Sequence, residues 1–374
     1  MAQREPWSKL AARLGVTRVA KVTGLDRTGV EVACAVRPGG HVLQICNGKG
    51  ERFEQAGWGA VLESAELFCA ERVDPGELHF ASRAELTADF GDDRVWDAAD
   101  LGSAGALLAP RLWSQETRVA WRAGIDLFDG EEILIPAQAV HCLPGDAALL
   151  GPSLVAWSSN GMGAHASRSD ALLHSTLEAV ERDELATVLP EGWTEEEIRS
   201  RLIAPASLAR HAPGTAALRE RIEAGAFDVH LFDLTGRFGL PVAGALLLDR
   251  EKGPVPLVAG YACRLRRDDA LLAALLEAAQ SRLTDIHGAR EDLAHDEVDL
   301  APLRALLAGL SPKRAATSLP DLKSSSADAG VRLVQKALRG QGLTRLGVVE
   351  LAPAALGVHV VKVVIPGLQV SELL

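Results

Sequence analysis

Residues 160–186, NGMGAHASRSDALLHSTLEAVERDELA, carry the feature that sets the fold and function apart. A helix advances about 100° per residue. With Asp170 set at zero, His174 falls near 40°, Glu178 near 80° and Glu181 near 20° on that rule. Leu172, Leu173, Leu177 and Val180 fall at roughly 200°, 300°, 340° and 280° and form an apolar stripe. One helix face therefore gathers three carboxylates, with Arg182 beside them. Like charges so spaced repel by a few tenths of a kcal/mol per pair even in water. Simpler readings stay open at this point. Ser167-Arg168-Ser169-Asp170 also reads as a capping box, with Asp170 a helix-start residue. Glu178 and Arg182 also suit an i,i+4 surface pair, and Asn160-Gly161 suits a tight turn.

Two further segments carry the same kind of face. In GWGAVLESAELFCAER (57–72), Glu63 and Glu66 are three apart on a helical pattern. Upstream, NGKG (47–50) reads as a flexible turn in which Lys49 and backbone N–H groups could meet an anion; it lacks the Walker A spacing. In LLEAAQSRLTDIHGARED (275–292), Glu277, Gln280, Ser281 and Thr284 share a face, with Arg282 and Arg290 nearby. Carboxylates from two helices suit Mg²⁺, a hard cation held through carboxylates, waters and nucleotide phosphates. Arg182 and Arg282 suit phosphate oxygens, which a planar guanidinium grips in bidentate fashion. Convergence on a magnesium nucleotide would offset the repulsion.

The bulk numbers bound these readings. The chain has 374 residues, 48% of them hydrophobic, a globular composition long enough for two subdomains. Its net charge of −11, from 50 acidic and 39 basic residues, argues against nonspecific binding to nucleic acid or an anionic membrane. The five cysteines, Cys34, Cys46, Cys69, Cys142 and Cys263, form no CxxC pair, so a reduced, cytoplasmic protein without a zinc site is expected. No signal core is seen, and no apolar run approaches the roughly 18 residues of a membrane span.

Periodicity predicts helices over 6–15, 51–74, 168–187, 194–223, 268–286 and 331–343. Strands are predicted at 29–38 and 41–50 as a hairpin, and at 119–128, 131–143, 227–235 and 241–249. Two more close the chain in RLGVVELAP and VHVVKVVIPGLQ (358–369). Residues 311–330, rich in Ser, Pro and charge, read as an exposed loop or linker. Alternating strands and helices place the chain in the α/β or α+β class.

In this order, these motifs resemble the YcaO family of ATP-dependent peptide-modifying enzymes. The similarity runs from VTGLDRTGVEVACAVRP (22–38) through GKG and AVLESAE (60–66), which looks like the family's Ala-x-x-Glu-x-x-Glu helix. It continues in NGMGAHASRSDALLHSTLEAVERD (160–183), EAAQSRLTDIHGARED (277–292) and the last strand, so it covers most of residues 1–374 as one YcaO domain. The resemblance implies a YcaO-type fold, mixed sheets and helices around an ATP and Mg²⁺ site. It implies Glu63, Glu66, Asp170, Glu178 and Glu181 around magnesium, and Arg182 and Arg282 on phosphate with Gln280 nearby. Lys49, Asn160 and Glu277 join them as nucleotide-binding positions.

The family activates a backbone amide oxygen with ATP. An internal Cys, Ser or Thr then gives an azoline, sulfide a thioamide and an amine an amidine. Asp170 stands where the family has Glu, Gly59 where a serine is usual, and Gly163, His165 and Ala166 depart from the family loop. The end, PGLQVSELL, lacks the proline-rich tail of azoline-forming members and is similar to those working with a TfuA partner, which are linked to thioamides. The expectation is therefore thioamide formation on a peptide or protein with a TfuA-like partner and external sulfide, by a chain that also suits a homodimer. The alternatives are an azoline-forming cyclodehydratase or a nucleotide-binding scaffold subunit.

Overall fold

Three antiparallel sheets, each carrying one long helix, set the architecture. The computed structural model describes residues 6–102, 106–143, 147–189, 192–251, 253–288 and 299–370. Helix α1 (Ser8–Leu14) leads into β1 (Arg18–Lys21), β2 (Glu31–Val36) and β3 (Ile45–Gly50), which pair in that order. Helix α2 (Phe53–Ala70) lies across β2 and β3. The predicted hairpin is present, but its second strand runs through Gly50, so Lys49 lies in a strand rather than a flexible turn. The reason is packing. A Cβ on Gly48 would sit 2.0 Å from the Ala56 carbonyl oxygen, so the glycine lets β3 press against α2.

The chain then builds a six-stranded sheet. Strands β4 (Leu78–Ala81), β5 (Val119–Asp126), β6 (Glu132–Pro136) and β7 (Met162–His165) belong to it, with α3 (Arg83–Phe90) following β4. The strand expected over 131–143 stops at Pro136, where a 3-10 turn begins. Helix α4 (Arg168–Val188) follows β7 and packs on it. Ser167 caps α4, its hydroxyl accepting the Asp170 N–H. The predicted apolar stripe is the buried one: Leu172, Leu177 and Val180 are 5%, 3% and 0% exposed.

Peripheral helices α5 (Glu195–Arg201), α6 (Leu208–His211) and α7 (Pro213–Ala224) precede β8 (Phe227–Asp233), β9 (Val242–Asp249) and β10 (Leu257–Cys263). These form the third sheet, in the order β10-β9-β8. Strand β9, VAGALLLD, is buried at every position because it serves two cores. Val242, Leu246 and Leu248 join one, and Ala243, Ala245 and Leu247 the other, as a period of two requires. Helix α8 (Arg267–His287) covers β9 and β10 and reaches β3. After α9 (Ala301–Gly309) and α10 (Ala327–Gly340), β11 (Gly347–Glu350) and β12 (His359–Val364) complete the large sheet in the order β4-β5-β11-β12-β7.

More than half of the 311–330 segment is exposed, but it is held to the body of the protein at several points. Ala316 and Leu319 are fully buried, Arg314 Nη1 meets Asp233 at 2.9 Å, and Arg266 Nε meets Asp321 at 2.7 Å. Its polar composition is spent on ion pairs to the body of the protein, which composition alone does not distinguish from solvation. The strand at 257–263 is not predicted because LVAGYAC is a short, nearly continuous apolar run without the alternation of a half-buried strand, which periodicity does not assign.

Candidate active site

Helices α2, α4 and α8 turn their polar edges toward one another across a cavity of about 630 Å³. Glu63 and Glu66 line it from α2, Glu178, Glu181 and Arg182 from α4, Glu277 and Gln280 from α8, and Lys49 from β3. These are the residues that spacing had placed on three separate polar faces.

The strands hold the carboxylates in place. Glu63 Oε2 accepts the Asn47 N–H of β3 at 2.9 Å, and Glu66 Oε1 the Ala164 N–H of β7 at 2.8 Å. Glu178 Oε1 accepts the Gly161 N–H at 3.2 Å, and Glu181 Oε2 the Cys263 N–H of β10 at 2.9 Å. All three sheets thus contribute a backbone donor, and each of these hydrogen bonds fixes one carboxylate oxygen. Such anchors keep a charged donor set aimed at one volume without neutralising it.

The charge balance of the cavity is uneven. Burial, then Glu178 and Glu63, hold the Glu66 carboxyl well above the usual carboxylate range. Burial also raises Glu178 despite the opposing charge of Arg182. Glu181 is pushed up to about 7 by burial and then by Glu277, against Arg182. Glu277 moves the other way: burial acts upward, but its 2.8 Å ion pair with Lys49, together with Arg182, outweighs it. Arg182 lies 3.9 Å from Glu181, so its nearest ion pair is with its neighbour rather than with Glu178 four residues earlier. More negative charge is gathered here than the resident cations balance.

Three expected positions fall elsewhere. Asp170 shares the angular face of Glu178 but begins the helix eight residues earlier, about 12 Å along the axis. Its carboxylate accepts from the Ser167 hydroxyl at the helix start and lies 3.6 Å from Nδ1 of His165, which lines the cavity. Arg282 faces away from the cavity. It is 3% exposed, with Nε 3.0 Å from Asp26 and Nη2 2.8 Å from Asp249, and its guanidinium lies over Phe227. A guanidinium so enclosed is paired with Asp26 and Asp249 and does not line the cavity, unlike Arg182. Asn160 stops beside the wall, which is lined by Ser159. Arg290 lies outside the described residues.

The structure also adds residues. Arg264, just after β10, lines the cavity and was hidden because that strand went unpredicted. His174 projects into the cavity too. Burial within the surrounding protein, then Arg264 and Lys49, lowers its pKa to about 3, so it is neutral. Asn47 joins β3 to α8: its Nδ2 donates to Thr284 Oγ1 at 2.9 Å, while its buried Oδ1 has no partner. Gln280 Nε2 donates to the Asn47 carbonyl at 3.2 Å. Gly163 is explained by packing, since a Cβ there would meet the Ala171 carbonyl oxygen at 2.5 Å.

The donor chemistry fits a hard divalent cation: oxygen ligands, excess negative charge and an orphaned amide oxygen in one wall. Among the described residues, no group of three or more His, Cys, Asp or Glu is arranged to hold a metal by itself. Mg²⁺ keeps waters and takes one or two carboxylates together with substrate phosphates.

The oxygen-rich, acidic cavity suits a divalent cation, and comparison with known proteins names the class. The family described as YcaO cyclodehydratase, ATP- and Mg²⁺-binding, matches residues 47–369. The chain belongs to the YcaO family, whose cofactors are ATP and Mg²⁺. A protein of Methanothermobacter thermautotrophicus is 29% identical over 96% of this chain and 90% of its own length. A Rhizobium leguminosarum bv. trifolii protein described as lying in the tfuA 3′ region is 30% identical over 96% of this chain and 84% of its own. Among solved structures, YcaO from Methanopyrus kandleri bound with AMPPCP and Mg²⁺ has a TM-score of 0.71 at 24% identity, over 96% of this chain and 88% of that one. A heterocyclase in complex with substrate and cofactor has a TM-score of 0.76 at 18% identity; it covers 97% of this chain, which spans only about half of it, 52%. Among the described residues, no helix is long and apolar enough to cross a membrane.

Proposed function

We propose that this YcaO protein activates a backbone amide of a peptide or protein and that the product is a thioamide, with sulfide delivered by a separate, TfuA-like partner. The observation that carries this reading is the strand-anchored set of glutamates from α2 and α4 beside Arg182. Glu63, Glu66, Glu178 and Glu181 would hold magnesium against phosphate oxygens, and Arg182 would take charge on the transferring group. Bound MgATP supplies the phosphoryl group that turns the amide oxygen into a leaving group. Gln280 and Lys49 then shape the wall, with Lys49 committed to Glu277.

The need for an external sulfur source follows from the cysteines. All five are buried and free. Burial raises the thiol of Cys69 to about 12 and that of Cys142 to about 11, and pushes Cys263 well above its ordinary value. None offers an exposed thiolate to carry sulfur. The tfuA-region description of one relative supports a partner of that kind.

Calorimetry tests the nucleotide part, with MgATP binding expected for the wild type and lost in Glu178→Gln. Mass spectrometry of proteins from cells with and without the gene tests the product. Replacement of one amide oxygen by sulfur is the expected change. Loss of water instead would identify an azoline-forming cyclodehydratase, and MgATP binding with no modified protein would identify a scaffold.

A further inference from the structure

The last strand of the YcaO match contains a lysine, in VHVVKVVIP (358–366), at a position where a strand core calls for an apolar side chain. Lys362 is 1% exposed and sits mid-strand in β12, paired to Val349 of β11 and Met162 of β7. An ammonium buried to this degree is costly unless its donors are used. Lys362 Nζ donates to the Ser158 carbonyl at 2.6 Å and to the Asn160 carbonyl at 2.5 Å. No carboxylate forms an ion pair with it among the described residues. Its bonds are spent on the backbone of one short turn.

That turn borders the cavity. Ser159, between the two clamped carbonyls, lines the wall, and Gly161 gives its N–H to Glu178 Oε1. The Gly161 carbonyl accepts the Val363 N–H at 2.8 Å, so residues 158–161 are tied to β12 by both side chain and backbone. Gly161 has φ +75°, and a Cβ there would sit 2.8 Å from the Val363 carbonyl oxygen. Such a left-handed residue is held only where its surroundings fix it. Lys362 fixes the residues on its N-terminal side.

We infer that Lys362 is the positioning residue of this site: by clamping the Ser158 and Asn160 carbonyls, it aims the Gly161 N–H at Glu178 and so fixes that carboxylate toward the cavity. Lys362 itself does not line the cavity. The neighbouring imidazole does not compete for the role. His141 is 3% exposed, and burial followed by the charges of Arg122 and Lys362 lowers its pKa to about 4, so no second cation forms beside the ammonium. The inference rests on the nucleotide reading only in the final step, from Glu178 to magnesium.

Lys362→Met, which keeps length and removes the donors, and Lys362→Arg, which restores them, test it. Hydrogen exchange of the peptide covering residues 157–166, without ligand, reads the clamp directly. Exchange at least ten-fold faster in Lys362→Met and recovery in Lys362→Arg are expected. The Mg²⁺ concentration for half-maximal ATP binding reads the consequence, with a rise of at least ten-fold in Lys362→Met and recovery in Lys362→Arg. A general loss of stability would lower the melting temperature without moving that magnesium requirement. A folded Lys362→Met protein with wild-type exchange and wild-type magnesium requirement overturns the inference. Should Lys362→Met fail to fold, Lys362→Gln is measured in the same way. If neither folds, the lysine holds up the fold and the positioning role falls. A wild type that binds no MgATP would defeat the nucleotide reading, while the exchange measurement would still decide the clamp.

Discussion

Helix α8 carries charge on two sides, and the two sides obey opposite rules. Toward the cavity, Glu277 meets the glutamates of α2 and α4, and carboxylates outnumber the cations beside them. On the far side, Arg282 meets Asp26 and Asp249, and Asp249 in turn meets Arg27 at 2.7 Å. The guanidiniums of Arg27 and Arg282 lie 5.2 Å and 4.8 Å from the Phe227 ring centroid. Titration separates the two sides as well. Burial acts to raise Asp249, but its bonds to Arg27 outweigh that and its pKa is lowered, whereas Glu66, Glu178 and Glu181 are raised. A buried cluster whose charges cancel ties elements together. One whose charges do not cancel is waiting for a counter-charge.

Breaking the paired cluster should give the largest effect. Asp249→Asn removes the carboxylate that Arg27 and Arg282 share, leaving Arg282 with Asp26 and Arg27 with Glu251, and should cost about 3 kcal/mol of unfolding stability in a denaturant titration. Below the unfolding transition its MgATP affinity should match the wild type, and a matching loss of affinity would join the two clusters into one site. Charge removal in the cavity should do the reverse. Glu178→Gln or Glu181→Gln should weaken MgATP binding roughly 100-fold, equivalent to about 2.7 kcal/mol, with melting temperature held or raised. Unchanged binding in both would reduce these glutamates to structural hydrogen-bond acceptors.

A pH series sharpens the contrast. The Glu181 carboxyl titrates near 7 in the fold, above an ordinary glutamate, so the folded state holds its proton more tightly than the unfolded state. Its contribution to stability is therefore fully present below the ordinary glutamate pKa and lost as pH rises through about 7. Ligand-free protein should lose melting temperature over that rise, and Glu181→Gln should flatten the curve. An equally steep curve in the variant would assign the titration to another group. The smallest effect is expected at Asp170. Asp170→Asn should change MgATP affinity less than two-fold, since the residue bonds the Ser167 hydroxyl at the helix start. As a surface cap change it should cost about 1 kcal/mol or less. A ten-fold loss of affinity would return Asp170 to the metal site.

The polar faces of α2, α4 and α8 were legible because helical periodicity alone puts Glu63 with Glu66, Glu178 with Glu181, and Glu277 with Gln280. Periodicity has no axial coordinate toward a partner, so Asp170 looked equivalent to Glu178. It also does not say which side of α8 meets the cavity, so Arg282 looked equivalent to Glu277. Arg264 and Lys362 escape the sequence for different reasons: the first follows a short apolar run with no clear period, and the second is a cation in a strand core.

By itself the sequence determined the long site helices, the motif order and the family, because these depend on residue spacing along one chain. Only the tertiary structure decided which charges are paired. Glu178 draws its hydrogen bond from Gly161, Glu181 from Cys263 and Arg282 its carboxylates from Asp26 and Asp249. Those partners are as many as 256 residues away, and a buried charge takes its chemistry from its neighbours in space.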